Sequence, residues 1–246
     1  MGPSRGAEPP SVDSQSKRLE IGGPEPRVFG TYVIRNVFYK LMPCEGHSLT
    51  AVEACVRIRR DMARERIAWD VKEVLRVNVR THNGAVLIIS KPPSMKLMNP
   101  ADRDHCLEFM MAVTLLKGAP PEYGDYSDNA SWANHEDVNF LRERIIVTEE
   151  KDFSRDYLDP KIRSLASAVS VEFRDGSKTN EVTIEHPLGS PKHQGTPEAV
   201  KIKVIKNLGL IYDEGTVEKV IDMIENAEET AASVLFEILW KGDINQ

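Results

Sequence analysis

Residues 36–54 read NVFYKLMPCEGHSLTAVEA. An aromatic-apolar run leads to Lys40, a Pro43-Cys44-Glu45-Gly46 turn breaks the chain, and His47 stands just before a helical pattern. Pro and Gly mark a break because neither continues a regular element. Ser48 or Thr50 suits the helix cap, and Glu53 follows Thr50 at the spacing of a capping box. The unpaired N–H groups and the dipole of a helix start favour anions. A lysine and a histidine beside such a start suit a carboxylate ligand. The plainer alternative is a surface turn with a solvated lysine and a helix-flanking histidine.

Downstream, a helix is expected from about Ser48 to Ile67. Ala51, Ala54, Cys55, Ile58, Met62 and Ala63 recur at three and four and form one apolar stripe. Arg57, Arg59, Arg60, Arg64 and Arg66 crowd the rest, as a solvated face or, less simply, a partner surface. Residues 71–81, VKEVLRVNVRT, alternate as a strand does, with Val77 and Val79 on one face. Asn83-Gly84 predicts a hairpin with residues 85–89 as its return strand. Pro100, after a possible Asn99 cap, suits the first turn of a helix running from about Ala101 to Lys117. That helix carries Leu107, Phe109, Met110, Met111, Val113 and Leu115 and is expected to be buried on most sides. Asp102, Arg103, Asp104 and His105 fill its first turn. Either the aspartates balance the helix dipole with Arg103 as counter-ion, or Arg103 and His105 face a cleft.

A long loop over 118–136, a short helix to 144 and a strand over 145–148 follow. Residues 166–173 and 179–185 flank Asp175-Gly176 as a hairpin. The glycine, lysine and histidine loop 186–197 suits an anion but lacks phosphate-loop spacing. Three helices close the chain: from Pro197 to about Leu210, from a Thr216 cap to Asn226, and from Glu229 to Trp240. Upstream, residues 1–27 are rich in Pro, Gly and Ser and read as a disordered leader or linker. Residues 27–41, RVFGTYVIRNVFYKL, read as extended or mixed.

The chain has 246 residues and a net charge of −6, which argues against a broad nucleic-acid surface. No apolar run reaches the length of a membrane span. Cys44, Cys55 and Cys106 are odd in number and fit no zinc or iron–sulfur spacing, so a reducing compartment is expected. Burial is the simplest reading for all three, although Cys44 sits beside polar chemistry and merits a reactivity test. Neither a dinucleotide fingerprint nor a nucleophile elbow is present. The order of elements is an α+β pattern rather than strict β–α–β alternation.

Several stretches together resemble the MmgE/PrpD family, which includes 2-methylcitrate dehydratase: FGTYVIRNVFYK (29–40), PCEGHSLTAVEA (43–54), NPADRDHC (99–106) with its apolar helix, RDYLDPKIRSLASAVSVEFRDGS (155–177), VTIEHPLGSPK (182–192) and the Lys201–Asn207 pattern. The resemblance implies an α+β lid domain with flanking helices that belong to an incomplete all-helical domain. It divides the chain into a leader at 1–27, a helical-domain remnant with the active-site segment at 28–67, the lid at 68–185 and returning helices at 186–246. It implies a dehydratase for 2-methylcitrate or a longer alkylcitrate that makes a cis-aconitate-type product, in fungal secondary-metabolite biosynthesis. Alternatives are a non-catalytic truncated paralogue or assembly partner, and a cis-aconitate decarboxylase-like activity. No metal and no cofactor are implied.

Water loss needs a base for a proton next to a carboxylate, an acid for the departing hydroxyl, and cations for the substrate's charge. By resemblance Lys40 and His47 are the catalytic positions, and Arg103 and His105 bind substrate. The implied partners are a small tricarboxylate, and either a second copy or a chain supplying the missing helical half; nucleic acid and membrane are not expected. The cytoplasm is the expected compartment, with mitochondria as the alternative. Two departures stand out. Family members are about twice as long, and Phe109 stands where relatives commonly have a tyrosine.

Overall fold

In the computed structural model, which describes residues 37–226 and 232–241, strand β1 (Val74–Thr81) is an inner strand of a four-stranded mixed sheet. The sheet order is β2 (Ile145–Glu149), β1, β3 (Ser167–Phe173), β4 (Val182–Ile184). β1 pairs parallel with β2 and antiparallel with β3, and β3 pairs antiparallel with β4. Val77 and Val79 lie opposite Val171 and Val169, and all four are buried. The alternation in β1 slips near its start, where an irregularity between Val74 and Arg76 puts Val74 on the buried side as well.

Helix α1 (Leu49–Arg64) lies across β3 and β4 and against α4 (Leu107–Lys117). Its inner stripe is Leu49, Ala51, Val52, Ala54, Cys55, Ile58 and Met62, while Ala63 is exposed. The expected capping box does not form. A 3-10 turn, Gly46–Ser48, precedes the helix, and Glu45 caps that turn by accepting the His47 N–H. Glu53 is engaged elsewhere, accepting the Leu188 N–H at 2.8 Å.

The Asn83-Gly84 hairpin does not form either. Residues Asn83–Ile88 are helix α2, capped by the His82 ring, which accepts the Ala85 N–H. β2 and β3 already occupy both edges of β1, so a return strand has no ladder to join. The helix expected over 101–117 is two helices, α3 (Pro100–Asp104) and α4. Asn99 caps α3 and Pro100 opens it, as expected. The break falls at His105–Cys106, where tertiary bonds replace helical ones: Leu107 N–H donates to the Ile89 carbonyl, and the buried Glu108 carboxylate accepts from Ser90 Oγ and Lys91 N–H. α4 is buried on nearly every side, from Leu107 through Leu115.

Helix α5 (Glu136–Arg142) packs on α4 and leads into β2. Helix α6 (Lys151–Leu158) follows β2 and rests against α2. The β3–β4 hairpin turns where expected. Asp175 Oδ1 accepts from Ser177 N–H and Oγ, and Gly176 takes φ +86°, a value suited to glycine. Helices α7 (Thr196–Leu208), α8 (Glu214–Glu225) and α9 (Ala232–Lys241) complete the described chain. Asp213, not Thr216, caps α8, with its carboxylate accepting the Thr216 N–H. Residues from Phe38 onward fall in one unit, and Met1–Val37 form another of which only Val37 is described. The leader at 1–27 and the stretch 28–36 lie outside the described residues. Among the described residues no helix is long and apolar enough to cross a membrane.

Candidate active site

The turn before α1, the end of β1 and the start of α6 meet at the carboxyl ends of the two parallel strands, where ligands commonly bind in open sheets with parallel strands. Buried hydroxyls hold them together. Thr50 Oγ1, in the first turn of α1, lies 2.6 Å from the Leu165 carbonyl and 2.9 Å from Ser167 Oγ. Ser167 Oγ in turn lies 2.9 Å from Thr81 Oγ1, at the last residue of β1. His47 lies two residues before α1, and His82 directly follows β1. α6 is tied in by Ser154, whose hydroxyl donates to Glu149 and accepts the Asn83 N–H.

His47 is gripped at both ring nitrogens. Nδ1 lies 2.9 and 3.1 Å from the two Glu45 carboxylate oxygens, and the His47 backbone N–H donates to the same carboxylate at 2.7 Å. Burial alone would raise the Glu45 carboxyl pKa. The hydrogen bonds from the His47 ring and N–H and the Gly46 N–H outweigh it and hold the group below the usual carboxylate range. Nε2 lies 3.1 Å from the Tyr157 hydroxyl. Tyr157 stacks on His82 with ring centres 4.3 Å apart and planes 17° from parallel. His82 is fully buried, and its ring centre is 5.5 Å from that of His47. Burial, then the neighbouring His47 charge, lower the His82 pKa to about 4 against the pull of Glu45. The group therefore combines a carboxylate, an imidazole bonded to it, a phenol on the far nitrogen and a neutral imidazole behind the phenol.

Lys40 is exposed, and its position is set by its neighbours. Tyr39 N–H donates to the Gly189 carbonyl at 2.9 Å, and Lys203 Nζ donates to the Lys40 carbonyl. Among the described residues the Lys40 ammonium has no ion-pair partner, which leaves its charge available to an anion. Arg103 is buried, and its Nη1 donates to the Tyr126 carbonyl at 2.7 Å and to Asp128 at 2.8 Å. It pins the loop after α4 rather than pointing a free guanidinium at His47. His105 is exposed and paired with Asp104 at 2.5 Å. The 103–105 segment touches the site through its backbone, since the Glu45 N–H donates to the Asp104 carbonyl at 3.3 Å. Phe109 is buried in the core with its ring centre 6.2 Å from that of Tyr126.

Several polar groups of the loop 186–195 are already engaged: Thr196 Oγ1 accepts the Gly189 N–H and donates to the Ser190 carbonyl, and Lys192 Nζ donates to the Lys161 and Ile162 carbonyls. All three cysteines are buried. Burial pushes the Cys44 thiol up to about 11, against the lowering effects of Tyr126 and Lys40, so it holds little thiolate at neutral pH. Among the described residues no three His, Cys, Asp or Glu side chains are grouped to hold a metal ion.

Of the four positions expected from sequence, His47 stands inside the cluster, Lys40 at the other end of the same turn, and Arg103 and His105 beside it. Glu45, His82 and Tyr157 join His47 and were not anticipated. His82 offered one signal, a histidine directly after a strand and before Asn-Gly. Tyr157 offered another, its spacing of four from Phe153 in a segment between two strands.

The chain matches the MmgE/PrpD C-terminal domain over residues 42–229. It is 36% identical over 215 residues to alkylcitrate dehydratase phiI of Talaromyces stipitatus, covering 87% of this chain and 44% of that protein. It is 38% identical over 210 residues to the 2-methylcitrate dehydratase-like protein oryR of Aspergillus oryzae, covering 85% and 42%. To the 2-methylcitrate dehydratase of Salmonella typhimurium it is 37% identical over 202 residues, covering 80% and 40%. The chain thus spans less than half the length of these relatives. The matched segment holds His47, His82, Arg103, His105 and Tyr157 and begins just after Lys40. This α+β chain belongs to the MmgE/PrpD family and carries that family's C-terminal domain.

Proposed function

We propose that this chain supplies the acid/base side of a site that dehydrates 2-methylcitrate or a longer alkylcitrate to a cis-aconitate-type product. The observation that carries the reading is His47, with Glu45 on one ring nitrogen and the other directed to a phenol at the open end of two parallel strands. A carboxylate on Nδ1 keeps the proton there and leaves Nε2 as the basic nitrogen, the arrangement a general base needs. Lys40, exposed and with no ion-pair partner among the described residues, meets a substrate carboxylate. His105 offers a second contact, and Arg103 acts by holding the loop after α4 in place. The chemistry uses side chains alone. The fungal relatives named as alkylcitrate dehydratases support the longer substrates.

The rest of the relatives' length, on the same or another polypeptide, completes the site in this reading. α7, α9 and the turn between α7 and α8 expose Ile202, Leu210, Ile211, Phe236 and Trp240. Apolar surface of this kind is normally covered, and the complementary helical segment is the proposed occupant. Self-association of the chain is the competing outcome.

The test is a dehydration assay that follows ultraviolet absorbance of the new conjugated double bond. 2-Methylcitrate and a longer alkylcitrate are the substrates, and Lys40→Ala and His47→Ala are run beside wild type. Turnover lost in both variants is expected. Equal turnover in His47→Ala, or release of carbon dioxide from cis-aconitate in place of dehydration, overturns the reading.

A further inference from the structure

We propose that Tyr157 is a catalytic acid of this site, giving its phenolic proton to the departing hydroxyl while His47 Nε2 takes the proton from carbon. The proposal rests on the dehydratase reading and deepens it. Its basis is the placement of protons around His47. Glu45 is held as a carboxylate and only accepts, so His47 Nδ1 carries a proton. In the neutral ring Nε2 is then an acceptor, and the only partner it has among the described residues is the Tyr157 hydroxyl at 3.1 Å. The phenol therefore donates, and the nitrogen becomes a free base only when that proton turns away.

The ring is held for this task. His82 accepts the Ala85 N–H at Nδ1, which places its own proton on Nε2, and it lies flat against the phenol. As a neutral ring it adds no charge beside the phenol. Gly84 forms the other wall. A Cβ there would lie 3.1 Å from Tyr157 Cε1 and Cζ and 3.1 Å from His82 Nδ1, tighter than ordinary packing. Gly84 lies in the first turn of α2, so the backbone itself closes the slot. Tyr157 is only partly buried, which leaves its oxygen reachable from solvent and substrate.

The step balances. The carbon–hydrogen electron pair becomes the new double bond, and its proton goes to His47 Nε2. The carbon–oxygen bond breaks with its electrons on oxygen, and that oxygen takes the Tyr157 proton and leaves as water. The imidazolium then returns its Nε2 proton to the phenolate, which restores both groups.

Tyr157→Phe keeps the stacked ring and removes only the hydroxyl. With 2-methylcitrate and a longer alkylcitrate as probes, the expected result is a fall in kcat of about 10²-fold or more with KM within about twofold. Nitrogen-15 NMR of the histidine rings in the full chain is the second readout. His47 is expected as the Nδ1–H tautomer in wild type, and its Nε2 resonance moves to that of an unbonded acceptor in Tyr157→Phe. A variant with wild-type kcat, or one altered in KM alone, overturns the acid role while leaving the dehydratase reading standing. A wild-type Nε2–H tautomer overturns it without any turnover measurement. A wild-type chain that dehydrates neither substrate even when the complementary helical segment is added overturns the dehydratase reading, and the acid role with it.

Discussion

His82 makes the stability of this chain depend on pH in a window where most side chains do not titrate. The ring is fully buried, its Nε2 has no hydrogen-bond partner among the described residues, and its pKa is lowered from 6.5 to about 4. It faces Tyr157, His47 and Glu45, and burial is the largest cause of the shift, ahead of the His47 charge. In the unfolded chain the same ring takes a proton near pH 6.5. Between those values the unfolded state binds more protons, so stability is full above about 6.5 and falls as the pH drops toward about 4. Each pH unit of the gap is worth about 1.4 kcal/mol. By about pH 5 the loss is about 2 kcal/mol, and it reaches about 3 kcal/mol at the lower end. His82→Asn keeps a good helix-capping side chain for α2 and removes the titration. Urea unfolding of wild type and His82→Asn at about pH 7.5 and about pH 5 is the assay. Shifts common to both proteins, such as those from other carboxylates, cancel in the comparison. The variant should lose about 2 kcal/mol less than wild type between the two conditions. Equal losses would refute the claim that the buried ring stays neutral.

Other substitutions probe the supports of the site. Gly189→Ala would place a Cβ 2.0 Å from the Tyr39 carbonyl oxygen at φ +107°, so a loss of at least about 2 kcal/mol in chemical denaturation is expected. Arg103→Met strands the Tyr126 carbonyl and should cost about 2 kcal/mol or more. Asp128→Asn removes only the exposed partner of the pair and should cost less than about 1 kcal/mol. With Cys44 and Cys106 pushed up to about 11 and Cys55 higher still, a thiol reagent at pH about 8 should label none of the three in the native chain and all of them in urea. Rapid native labelling of Cys44 would contradict its placement.

The elements with one dominant local signal were legible. The stripe of α1, the apolar run of α4, the Asn99-Pro100 start and the Asp175-Gly176 hairpin all form near where their residues predict. The failures share a cause, which is competition from distant partners. Asn83-Gly84 is a good hairpin turn in isolation, but β2 and β3 take both edges of β1, and His82 caps a helix instead. The helix over 101–117 is broken because residues 89–91 offer its backbone and Glu108 better bonds. Glu53 is lost to capping because Leu188, far along the chain, claims its carboxylate. The candidate site divides in the same way. His47 was visible from its own turn and from family resemblance. Its partners come from elsewhere, His82 directly after β1 and Tyr157 in the last turn of the helix that follows β2, and local sequence does not show those two strands to be adjacent and parallel.

The most direct test of the central claim is proton exchange at carbon. 2-Methylcitrate is incubated in deuterium oxide with wild type and with His47→Gln, and the hydrogen next to the carboxylate is followed by proton NMR. If His47 is the base, wild type replaces that hydrogen with deuterium or removes it as the alkene forms, and His47→Gln is slower by about 10²-fold or more. Exchange at an equal rate in His47→Gln, or none in wild type with the complementary helical segment present, would contradict the assignment of His47 as the base.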